Sequence, residues 1–153
     1  EDYKNLGTDQ FSGSIWITII APIVDGRAAK FPGYSRERFL QEVAKTSAKK
    51  ANGGLSDTER AALDRAAKEF GIDITPVKSL GVLDRDDNGV YTGGLERVAS
   101  GSSSEIVAGV FAATFASGYY ISLNTYGIYD NPQDFDDMLD VAKELAEVFV
   151  DVN

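Results

Sequence analysis

Histidine and cysteine are absent from this chain of 153 residues, and each absence removes whole classes of chemistry. Without cysteine there are no disulfides, no thiolate nucleophiles and no Cys-ligated zinc or iron–sulfur centres. Without histidine the commonest general base and metal ligand is missing, so Ser-His-Asp and Cys-His mechanisms are excluded. Positive charge is also scarce: 15 Lys and Arg stand against 24 Asp and Glu, a formal net charge of −9. A nucleic-acid binder needs a basic surface to displace phosphate counterions, so no nucleic-acid partner is expected. An acidic membrane surface would repel the chain too. The lack of cysteine is compatible with the cytosol and with a periplasm alike.

Long hydrophobic runs are lacking as well. The longest, Ile15 to Val24, is broken by Thr18 and Pro22 and falls short of the roughly 20 apolar residues that a bilayer span takes. With 43% hydrophobic and 25% charged residues, the composition is that of a globular domain. One domain over 1–153 is expected, with 1–13 a flexible N-terminal segment. Glu1 stands where Met is usual, and the polar stretch to Gly13 suits the start of a processed, exported protein. That favours a periplasmic or secreted setting over a cytoplasmic one, although a shortened chain would look the same.

The segment Ser14 to Val24 is β-branched and apolar on both alternating sides, which predicts a central strand covered on both faces. Its Trp16 is expected in the core. Ser35 is placed to cap a helix carrying Phe39, Leu40, Val43, Ala44 and Ala48, ended by Asn52-Gly53-Gly54. A second helix over 56–70 opens on a Ser56/Glu59 capping box. Residues 72–74 read as a short strand before Pro76. Strands 80–83 and 90–92 then flank a hairpin turning at Asn88-Gly89. Residues 101–104 read as a loop.

The strongest strand signal follows. Residues 106–116 and 119–129 form two long strands around Ser117-Gly118, and a two-residue turn would set Ala116 opposite Tyr119. One face then carries Val110, Ala112, Thr114 and Ala116, small enough to let a helix approach closely. The other carries Phe111, Phe115, Tyr120 and Tyr126, a core face under a helix or the floor of a ligand site. Asn131 and Pro132 start the last helix, whose stripe is Phe135, Met138, Leu139, Ala142, Leu145, Ala146 and Phe149. The order of elements implies an α+β fold, a mainly antiparallel sheet flanked by helices as an α/β sandwich.

Few residues stand out as chemistry. Asp84-x-Asp86-x-Asn88-Gly89 matches the first half of a calcium loop, but Leu95 holds the position of the closing glutamate. A polar hairpin turn accounts for the same residues, so Asp84, Asp86 and Asn88 are weak metal candidates and no cofactor is expected. Gly101-Ser-Ser-Ser-Glu105 lacks the patterns that cradle phosphate. Paired carboxylates could serve a hydrolase, yet no spacing selects a pair. Tyr91, Tyr126 and Tyr129 lie near turns or strand ends and are expected as exposed contacts.

Charge is unevenly spread. Residues 25–50 hold seven Lys/Arg against three acids, a net of +4, while residues 130–153 hold eight acids against Lys143. Asp136, Asp140, Glu144 and Glu147 fall opposite the last helix's apolar stripe, as a solvated face does, and are candidates for partner contact. Asp134, Asp136 and Asp137 also suit the positive end of the helix dipole.

Residues 118–126 followed by the helical run 134–149 resemble the end of PsbP/Mog1-like domains, small α/β/α proteins that mostly serve as accessory or binding proteins. The resemblance covers about 45 residues of the C-terminal third and implies an antiparallel sheet covered on both sides. The two consecutive helices after the first strand depart from that group, and no functional residue carries over. The expectation is a non-catalytic binding or accessory domain acting on a protein partner, a basic one included, or on a small ligand. An acidic inhibitor or immunity protein against a basic toxin and a carboxylate-dependent hydrolase are the alternatives, and the oligomeric state is left open.

Overall fold

The computed structural model describes residues 16–21, 23–24, 26–50, 68, 71 and 73–151, with the backbone alone at 16–20, 23–24 and 49–50. The expected helix over 56–70 and the stop at Asn52-Gly53-Gly54 lie outside the described residues, apart from Lys68, which is helical. The side chain of Trp16 lies outside them too. Among the described residues, no helix is long and apolar enough to cross a membrane.

The elements are β1 (Trp16–Ile20), β2 (Ile23–Val24), β3 (Arg27–Ala28), α1 (Arg36–Lys50), β4 (Asp73–Arg85), β5 (Gly89–Ser100), β6 (Ser103–Ala116), β7 (Tyr119–Ile128) and a C-terminal helix, α2 (Gln133–Asp151). Five strands form one antiparallel sheet in the order β1-β7-β6-β5-β4, and β2 pairs with β3 separately. Helices pack on this sheet, so the expected α+β sandwich is the observed fold.

The β6–β7 register is the expected one, Ala116 opposite Tyr119. Ser117 and Gly118 both adopt positive φ, at 50° and 84°, as the tightest right-twisting hairpin turn requires. Alternation along β6 then sends Ala108, Val110 and Ala112 to one face, where they pack with Leu123, Tyr91 and Met138, Ala142 and Ala146 of α2. Alanines on both partners let helix and sheet approach closely. On the opposite face Phe39 of α1 stacks on Phe115 at 4.7 Å between ring centroids and meets Tyr120 at 5.4 Å. The two helices therefore cover opposite faces of the sheet.

Both caps form as their residue types dictate. The Ser35 hydroxyl accepts from the Arg38 amide at 3.2 Å. The Asn131 side chain accepts from the Gln133 amide at 2.9 Å, and Asp134 reaches back to the amides of Asp130 and Asn131. Every residue of the expected α2 stripe is buried or packed against the core. Ala48, placed on the α1 stripe, is instead exposed.

Three strand expectations need correction. Among the described residues the first strand is not central: β1 pairs with β7 alone at the sheet edge, and Ile23–Val24 leaves for the small ribbon. An apolar run shows that a strand is covered, but not how many neighbours it has. Residues 73–85 are one continuous strand, where two short ones, 72–74 before Pro76 and 80–83, were expected. β4 is the other edge, where a missing proline N–H costs no ladder bond, and three register shifts absorb the irregularity. Such bulges, with exposed Lys78, also hinder pairing of this edge with another chain. Third, the loop at 101–104 shrinks to a turn at Gly101-Ser102, with Ser100 paired to Ser103.

Candidate functional site

The β4–β5 turn is the meeting point of most residues singled out in the sequence. Asp86 organises it. Its Oδ1 accepts from the backbone amides of Asn88 and Gly89, each at 2.8 Å, and its Oδ2 accepts from the Tyr91 hydroxyl at 2.9 Å. Asp86 N–H donates to the Gly89 carbonyl at 3.1 Å, closing the hairpin. Thr114 Oγ1 donates to the Asn88 carbonyl at 2.6 Å, tying the turn to β6. Asp84 is paired with Lys143 of α2.

These bonds decide what the turn's carboxylates can do. Both oxygens of Asp86 are engaged, and Asp84 already faces a cation. Among the described residues no group of three or more acidic, histidine or cysteine side chains converges as a metal cage would. The arrangement is that of a hydrogen-bonded polar turn.

Tyr91 corrects the sequence reading. It is fully buried, because its partner in register is Ala112 of the central strand and its ring faces the underside of α2. It cannot be a surface contact. Burial, and then Asp86, hold its hydroxyl above the usual phenol range. Tyr129 is half-buried against Phe135, at 5.7 Å between centroids. Tyr126 lies on the other face, edge-on to Phe111 at 5.5 Å. Among the described residues the exposed tyrosine is Tyr34, with the Arg38 guanidinium 4.9 Å from its ring.

Asp136, Asp140, Glu144 and Glu147 are all exposed, and none makes a hydrogen bond or ion pair among the described residues. The structure joins this helix face to the turn through Lys143. The lysine is paired with Asp84, lies 5.9 Å from the Tyr91 ring centroid, and feels Asp86 and Asp140 as well. Glu147 acts on Tyr91 from the same side. Turn and helix thus form one acidic surface with a single lysine at the seam. The hydrogen bond to Lys143 lowers the carboxyl pKa of Asp84, and the lysine's own pKa moves up. That pair stabilises the fold above the usual carboxylate range and releases as pH falls through the lowered Asp84 value. The clue in the sequence was Lys143 as the sole cation among eight acids.

The opposite face holds a group that the sequence reading passed over. Gly94 and Gly109 face each other across β5 and β6, and the Phe111 ring lies over them: a Cβ on Gly109 would come within 2.8 Å of its Cζ. Glu96, one alternation further along β5, is half-buried on this side, and burial pushes its carboxyl up. Glu96 in turn raises the Tyr126 hydroxyl, after the larger effect of burial. A raised carboxyl pKa means that the fold prefers the protonated form. Its contribution is complete below the usual carboxylate range and is lost as pH rises through the raised value. Glu96→Gln is therefore expected to raise Tm at pH 7 by roughly 2–4 °C, the size of about 1 kcal/mol in a domain of this length. The gain should vanish near pH ~4, where the wild-type carboxyl is itself neutral. A thermal melt series with the same difference at both pH values would contradict this assignment. No second carboxylate among the described residues contributes to the Glu96 shift, so the paired arrangement of a hydrolase is not formed around it.

Compared with known proteins, the chain matches no family model, no curated protein and no solved structure.

Proposed function

We propose that the protein is a non-catalytic binding or accessory domain that docks a basic partner protein on the acidic surface of α2 and the β4–β5 turn. The observation that carries this reading is the set of four exposed carboxylates on α2, unpaired among the described residues, beside a turn whose Asp84 and Asp86 are held in place. The bonded turn and the capped helix hold the backbone that carries these charges, so ordering on association is confined to the side chains. An inhibitor of a basic toxin is the narrower form of the same reading.

Long-range attraction raises association rates more than it slows dissociation. Once a partner has been isolated by pull-down from the native host, the variant Asp136→Asn, Asp140→Asn, Glu144→Gln, Glu147→Gln is expected to associate about tenfold more slowly at low salt. Its association rate should depend less steeply on salt, and its melting temperature should stay close to that of wild type. Stopped-flow association and thermal melts read both quantities. Equal rates with equal salt dependence would reduce the acidic helix to a solubilising surface.

A further inference from the structure

On the other side of the same turn, a cleft of about 270 Å³ opens between the start of α1 and the hairpin, lined by Arg36, Glu37, Leu40, Arg85, Asp86 and Asp87. We propose that this cleft is a site for a small zwitterion with the charge pattern of an α-amino acid, a carboxylate beside an ammonium.

The argument rests on which charged groups are already engaged. Asp86 has both oxygens occupied by Asn88, Gly89 and Tyr91. Glu37 accepts from Gln41 at 3.4 Å and sits in the first turn of α1, where the helix dipole stabilises it. Arg36 donates its Nε to the Phe115 carbonyl at 3.0 Å, which anchors the side chain and leaves its terminal nitrogens available. Neither the Arg85 guanidinium nor the Asp87 carboxylate makes a hydrogen bond or ion pair among the described residues. Among the described residues, the groups with capacity to spare are therefore the terminal nitrogens of Arg36, the Arg85 guanidinium, the second oxygen of Glu37 and the Asp87 carboxylate, beside Leu40, which is buried.

A simple anion would satisfy the arginines but face the charges of Glu37, Asp86 and Asp87. A simple cation would meet the two arginines. A zwitterion answers both signs at once: its carboxylate accepts from the arginines and its ammonium donates to Asp87. The cleft's volume lies just below the ~300–1,000 Å³ of pockets for drug-sized ligands, which limits the occupant to a small molecule. Arg85 and Asp87 flank Asp86, whose bonds fix the backbone of the turn, so ordering on binding is confined to their side chains.

The test is a heteronuclear NMR titration of the full chain with glycine and L-glutamate, and with acetate and methylammonium as single-charge probes. Both amino acids are expected to shift the amides of Glu37, Leu40 and Asp87 saturably, with midpoints of roughly 1–10 mM. Acetate and methylammonium should bind at least about tenfold more weakly, the cost of losing one charge-assisted contact. Arg85→Gln should abolish saturation, and Asp87→Asn should weaken the amino acids about fivefold or more while leaving acetate no weaker than before. Arg85 and Asp87 are exposed, so both variants should keep the wild-type spectrum elsewhere. The proposal fails if neither amino acid saturates below ~50 mM, if acetate binds as tightly as glycine, or if Arg85→Gln leaves the midpoints in place. The acidic surface of α2 plays no part in these readings, so the two sites stand or fall separately.

Discussion

Replacing Ala142 with aspartate is expected to cost about 3–5 kcal/mol, because it leaves a charge buried without a partner. Ala142 is fully buried in the cluster formed with Ala108, Val110 and Ala112 of β6. The residues of that cluster supply no charged partner, so the carboxylate must stay protonated or force the helix off the sheet. Leu145→Asp should be the milder change, at roughly 1–3 kcal/mol, because Leu145 is only partly buried at the margin of the same cluster. Urea unfolding of the two variants beside wild type measures the difference. If Leu145→Asp proved the more damaging, the line of closest approach between α2 and β6 would be misplaced.

Asp86→Ala has the second largest expected effect, about 2–4 kcal/mol. The change removes the acceptor for two backbone amides and for the hydroxyl of fully buried Tyr91. The amides lie at the turn, where water can replace the carboxylate, but the phenol sits beneath α2. Tyr91→Phe removes the donor together with its need for an acceptor, and should cost only about 1 kcal/mol. Asp86→Ala should accordingly be less harmful in the Tyr91→Phe background, by about 1 kcal/mol. Denaturant midpoints of the four proteins complete the cycle. Strict additivity would mean that the Asp86–Tyr91 bond contributes nothing to stability. The same variants bear on both proposed sites, since Asp86 holds the turn that carries Arg85 and Asp87 on one side and Asp84 on the other.

Much of the architecture was legible from residues close together in the chain. Ser35, Asn131 and Pro132 mark helix starts because a cap is a bond between a side chain and an amide two or three residues away. Ser117-Gly118 prescribes a tight turn, and the turn sets the register of both strands. The α2 stripe follows from helical periodicity alone, and its exposed carboxylates are the other half of the same pattern. In each case the deciding interaction spans only a few residues, so local residue types determine it.

The tertiary structure decided everything that depends on pairing between distant segments. β1 joins β7 across about a hundred residues, and no property of residues 16–20 says that only one of its edges is taken. Tyr91 looked exposed because it follows a turn, and it is buried because β5 happens to register with the central strand beneath α2. Pro76 stops a central strand but not a bulged edge, and which strand is an edge is itself a property of the whole sheet. The seam between Asp84 and Lys143, the partly buried carboxyl of Glu96, and the cleft between Arg36 and Arg85 all join segments separated by tens of residues. Such contacts form only once the chain has closed its long loops, and their energetics depend on burial that no local pattern encodes.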